Sequence, residues 1–193
     1  MAQTLSKREL MRARQRRKHR AGRFIWVSLG LTSLAIIVAI LWRGVRPRAG
    51  EEMSVMANKN HLPLDSDPGQ YSTNPPTSGP HYAEELDAKF YETNNYPFPA
   101  GYLVHNLEHG YVVFWYNCGI LDETSCGALK SQIESVIDEV NNFKVIAYPW
   151  DSIDVPVAMT SWGRLLKMET FDAEKALAFY RTNLNHAPES NAP

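Results

Sequence analysis

Residues 111–116 read Tyr111-Val112-Val113-Phe114-Trp115-Tyr116, six consecutive positions that are β-branched or aromatic and carry no charge. A run of this length and composition predicts a buried strand. Working outward toward the C-terminus, Asp122 to Asn141 reads as a helix. Asp122, Glu123 and Thr124 supply capping groups at its start, and Leu129, Ile133, Val136, Ile137 and Val140 fall on one apolar stripe. Val145 to Trp150 predicts a second strand. Val157 to Glu169 holds a third, with Gly163 as the point where a hairpin would turn. Asp172 then caps a last helix running to about Asn183, with Ala176, Phe179 and Tyr180 facing inward. The order β-α-β-β-α predicts an α+β domain, a small sheet with two helices on one face.

Upstream of the strand the pattern changes. The stretch from His61 to Gly101 contains seven of the twelve prolines and no sustained apolar periodicity. Asn74-Pro75-Pro76-Thr77-Ser78-Gly79-Pro80-His81-Tyr82 can be neither helix nor central strand, because proline fixes φ and removes a donor. Tyr71, Tyr82, Tyr91, Tyr96 and Tyr102 carry aromatic surface that favours packing onto the domain, so the stretch reads as an ordered arm rather than a disordered loop. Residues 43–60, rich in Arg, Pro, Gly, Glu and Asn, read as a tether.

Phe24 to Trp42 is uncharged over nineteen positions, close to the ~20 residues an α-helix needs to cross a bilayer core. Nine basic residues and one acid, Glu9, precede it. By the positive-inside rule the tail 1–23 stays in the cytoplasm, 24–42 anchors the chain in the lipid bilayer, and 61–189 forms an extracytoplasmic domain of a single-pass cell-membrane protein. No Ala-x-Ala cleavage site follows, as a signal peptide would require. The net charge of −1 conceals a division: from Ala49 onward eight basic residues face twenty acidic ones, a balance of −12. Such a domain would repel phosphate backbones, which excludes nucleic acid as its partner. Another envelope protein remains open as a partner. Cys118 and Cys126 lie between the first strand and the first helix; in an oxidising compartment they pair as a structural disulfide, which closes a short ring worth roughly 2.5 kcal/mol.

The chemistry-bearing residues are histidines. His105-Asn106-Leu107-Glu108-His109 sets two imidazoles four residues apart with a carboxylate beside them, and on a helix or a strand that spacing places both rings on one side. His61 and His81 lie upstream in the proline-rich arm. Together His61, His81, His105, Glu108 and His109 make a candidate metal site for copper or zinc, the ions that imidazole suits, with Glu108 as a ligand or as a carboxylate fixing a ring tautomer. Met159 would favour Cu(I) if it reached the site, but its apolar surroundings place it in the core. H-x-x-E-H also matches the inverzincin metalloprotease pattern, in which Glu108 would activate water. That motif needs a long helix, whereas Gly110 and a strand follow at once and Tyr96-Pro97-Phe98-Pro99-Ala100-Gly101 leaves little room for one. His19 and His186 read as solvated.

The proline-rich motif 74–82, the motif His105-Asn106-Leu107-Glu108-His109-Gly110 and Ser161-Trp162-Gly163-Arg164, in that order, resemble the domain of unknown function 3105 family. The resemblance covers roughly His61 to Glu189. It implies a single-span bacterial protein with one exported domain, and it puts His81, His105, Glu108 and His109 at signature positions. It supplies no reaction. The functional expectation is therefore metal handling at a histidine-rich site, with a metal-dependent hydrolase using Glu108 as base, or an envelope partner-binding module without metal, as the alternatives.

Overall fold

The computed structural model describes residues 26–38 and 47–192, in two compact units, Met1–Arg46 and Pro47–Pro193. In the first unit the described part is one helix, α1 (26–38), thirteen residues long. Among the described residues no helix is long and apolar enough to cross a membrane. This corrects the reading of 24–42 as a transmembrane anchor, and with it the single-pass localisation and the exported placement of the domain. The basic tail 1–23, with His19, and the rest of 24–42 lie outside the described residues.

The second unit is built on a five-stranded sheet. Its strands are β1 (Glu51–Glu52), β4 (Val112–Tyr116), β5 (Val145–Pro149), β6 (Val157–Ser161) and β7 (Arg164–Met168), in the spatial order β1-β7-β6-β4-β5. A separate two-stranded ladder joins β2 (His61–Leu62) to β3 (His81–Tyr82). Three helices complete the unit: α2 (Pro99–Glu108), α3 (Glu123–Glu139) and α4 (Ala173–Asn183). From β4 through α4 the order is β-α-β-β-β-α, the expected series with Val157 to Glu169 resolved into the two strands of a hairpin. The stretch read as a tether contributes the edge strand, Glu51 facing Leu165 and Glu52 facing Arg164.

All five residues of β4 are buried because both of its faces are covered. Val112, Phe114 and Tyr116 pack with Leu129, Ile133 and Ile137 of α3 and Phe179 and Tyr180 of α4. Val113 and Trp115 pack on the opposite face with Leu103, Val104 and Leu107 of α2 and with Tyr82 of the arm. The two expected helices, α3 and α4, thus share one face, and α2 with the arm covers the other. A strand buried on both sides reads as an unbroken apolar run rather than an alternation. β4 and β5 are parallel, a pairing that needs a crossover, and α3 supplies it. Trp115 Nε1 donates to Thr160 Oγ1 at 2.7 Å, which satisfies the buried indole N–H.

Asp122 and Asp172 cap α3 and α4 as expected, accepting from the Ser125 and Lys175 amides. Cys118 and Cys126 form a disulfide that ties the end of β4 to the first turn of α3.

α2 was not expected. It starts without a side-chain cap, on Pro99 at its first turn, and every one of its ten residues is buried. A helix enclosed all round carries no amphipathic period, and its Pro, Gly, Tyr, Val, His and Asn are mediocre helix formers. Gly110, at φ +85°, ends it against Asn185. The arm is ordered throughout. Gly163 N–H donates to the Thr77 carbonyl and Met56 N–H to Ser78 Oγ. Tyr71 Oη donates to the Pro80 carbonyl at 2.8 Å. The Asn74–Pro75 peptide is cis.

Candidate metal centre

Three pieces of chain converge on one point. β2 and β3 run parallel with His61 opposite His81, and the His81 amide donates to the Asn60 carbonyl. α2 packs directly on β3 because Gly101 has no side chain: a Cβ there would stand 2.3 Å from the Tyr82 ring. Along α2, His105 and Glu108 are three residues apart and share a face; His109, four residues from His105, is the helix C-cap.

His61, His81, His105 and Glu108 each offer a ligand atom, and these four atoms lie within 4.8 Å of one another. The ring centroids of His61 and His81 are 4.8 Å apart, and those of His81 and His105 are 5.3 Å apart. His81 is completely buried, His105 is 6 % exposed and Glu108 8 %, while His61 is exposed at the mouth. His/Glu groups so arranged can hold a metal ion. A tetrahedral ion with bonds near 2.1 Å would bring its donors to roughly 3.4 Å apart, so the group needs to contract by about an ångström.

The hydrogen bonding sharpens this. His81 Nδ1 lies 2.8 Å from the Gly79 carbonyl oxygen, which can only accept, so Nδ1 carries a proton. In the neutral ring Nε2 then presents a lone pair, and it sits 2.8 Å from Glu108 Oε2 without hydrogen-bond alignment. Two acceptors at that distance repel unless a proton or a cation stands with them. His105 Nδ1 is a second buried nitrogen with no hydrogen-bond partner among the described residues. Burial, and then the neighbouring rings of His109, His81 and His61, hold the His105 pKa down at about 4. Its ring is therefore neutral near pH 7, the form that binds metals.

His109 is not part of the first group. Its Nδ1 is 2.9 Å from Glu85 Oε2 and its Nε2 is 3.6 Å from Glu189 Oε2. With Glu85 and His105 it makes a second group, its ligand atoms also within 4.8 Å of one another. The structure thus divides the five expected residues: four gather, and His109 stands beside them, joined through His105. Glu85 escaped sequence reading because nothing in Tyr82-Ala83-Glu84-Glu85-Leu86 marks one acid over the other. Asn106 could have been the signal. Buried within the histidine motif, its side chain accepts from the Leu86 amide and donates to the Leu86 carbonyl, so it fixes the backbone beside Glu85. Met159 is buried in the core shared with α3 and α4, on the face of the sheet away from α2. His186 is exposed. The motif lies at the end of a ten-residue helix, not the long helix an inverzincin site uses.

Residues 65–193 match the family described as Protein of unknown function (DUF3105). That is two thirds of the chain, and the protein belongs to this family. No curated protein and no solved structure matches the chain.

Proposed function

We propose that the second unit binds one transition-metal ion, zinc or copper, between His61, His81, His105 and Glu108, and that its role is to hold or hand on that ion. The observation that carries the reading is a pair of buried ring nitrogens without a hydrogen bond among the described residues, His81 Nε2, which lies 2.8 Å from the buried Glu108 carboxylate, and His105 Nδ1. Unsatisfied buried nitrogens cost about 1–3 kcal/mol each, and a shared cation removes that cost. Three imidazoles and one carboxylate suit zinc and copper far better than magnesium or calcium, which prefer all-oxygen shells. The Gly79 carbonyl supports the site from behind, holding the His81 ring in the tautomer that points Nε2 inward. Glu108 belongs to the donor set, and a carboxylate that ligates the ion is not free to activate water. Four protein donors also leave no open position at a tetrahedral ion, which favours holding over hydrolysis.

The experiment is elemental analysis of the full chain after exposure to zinc and, separately, to copper, followed by desalting. One ion per chain, lost in a His61→Ala, Glu108→Gln double variant that still melts cooperatively, is the expected result. A wild-type chain that retains neither ion would end this reading.

A further inference from the structure

Resting on that reading, we infer that Glu85, His105 and His109 form an outer metal station through which the ion reaches the buried site, with His105 common to both. Three independent observations bear on it. The ligand atoms of Glu85, His105 and His109 gather as closely as those of the inner group, and His105 belongs to each. Its ring centroid is 5.3 Å from that of His81 on one side and 4.3 Å from that of His109 on the other. The buried His105 Nδ1 has no hydrogen-bond partner among the described residues.

The outer group is also built. Asn106, wholly buried, pins the Leu86 backbone through both of its polar atoms and so sets Glu85 beside His109. The Glu189 amide donates to the Glu108 carbonyl, which brings the Glu189 carboxylate to the far side of the His109 ring. Lys144 Nζ donates to the carbonyls of His109, Ser190 and Ala192, tying the C-terminal segment to the end of α2. On this side of His105 the Glu189 side chain is 57 % exposed, Glu85 33 % and His109 11 %, against 0 % for His81; His61 gives the inner group a second exposed side. Carboxylates at the rim draw a divalent cation from solvent and imidazoles further in take it over.

Sharing His105 dictates exchange rather than double occupancy. A neutral imidazole has one lone-pair nitrogen, so it can serve one ion at a time. The ion enters on Glu85 and His109, gains His105, and passes to His61, His81 and Glu108 as His109 lets go. No bond to carbon forms or breaks, and no electron moves.

The test is stopped-flow uptake and release of zinc by the full chain, read by competition with a chromogenic chelator, for wild type and a Glu85→Gln, His109→Gln variant. If the outer group lies on the path, loading and release slow together by the same factor, tenfold or more, since a catalysed path speeds both directions equally. Unchanged rates would overturn the inference. So would faster release with weakened affinity, which would make His109 a direct ligand of the buried ion, or two ions retained per wild-type chain, which would make the groups separate sites. Failure of the underlying reading is distinguishable, because the wild type would then take up no zinc at all.

Discussion

His61 and His81 stand opposite one another in a parallel ladder only two residues long, twenty positions apart in sequence and 4.8 Å apart between ring centroids. One ring is exposed and the other is completely buried. The ladder therefore delivers an imidazole from the surface to a buried donor group without opening the core.

His61→Ala is expected to separate binding from folding. The side chain is exposed, so its loss leaves no cavity, and apo stability should change by less than about 0.5 kcal/mol. Zinc affinity should fall tenfold or more, ~1.4 kcal/mol for each factor of ten. Thermal melts of the apo chain beside chelator competition titrations would show both effects. An unchanged affinity would remove His61 from the ligand set.

Glu108→Gln should have opposite effects on the two quantities. The amide is isosteric and brings a donor that can face His81 Nε2, so the apo protein should hold its stability or gain about 1 kcal/mol. Metal binding should weaken by at least tenfold, because the only buried anion in the inner group is gone. Urea denaturation paired with zinc titration tests this; a loss of stability without loss of binding would make Glu108 a structural residue.

Gly101→Ala should damage the site from a distance. The new methyl group would fall 2.3 Å from the Tyr82 ring, which is itself fully buried and cannot swing away. Overpacking of this kind costs typically 1–3 kcal/mol. Because Tyr82 follows His81, displacement of β3 should also lower zinc affinity. Denaturation midpoints and zinc titrations of the same variant should fall together.

Alkaline pH should unfold the domain earlier than an exposed-tyrosine protein. Burial, and then the Asp65 carboxylate, raise the Tyr102 pKa to about 12, and burial chiefly raises that of Tyr91 to about 12. The unfolded chain gives up these protons near pH 10, two units sooner. The stability they represent is complete below pH 10 and drains away as pH rises from 10 to 12. Urea midpoints measured at pH 9, 10.5 and 11.5 should decline across that window, with little phenolate absorbance until the protein unfolds. Ionisation of these tyrosines in the folded state near pH 10 would contradict the assignment.

The legible part of the fold was local. Asp122 and Asp172 announced two helix starts, and the interval from Val157 to Glu169 turned at Gly163 into the β6–β7 hairpin. Each of these signals depends on residues within a few positions of one another. The uncharged run 24–42 misled for a related reason. Hydropathy registers composition, and among the described residues no helix is long and apolar enough to cross a membrane.

What sequence determined by itself was the inventory: an α+β order of elements, a paired Cys118 and Cys126, family membership, and the residue types able to bind a metal. Tertiary structure decided which of those residues meet. α2 was hidden because a helix buried on every side has no polar face to betray its period. Without it, His105 could not be placed between His81 and His109, nor Glu85 beside them. The grouping of His61 with His81, and the separation of His109 from both, rest on a two-residue ladder, a glycine at the helix–arm contact and a buried asparagine. Such contacts arise between segments far apart in the chain, where spacing along the sequence carries no information about distance.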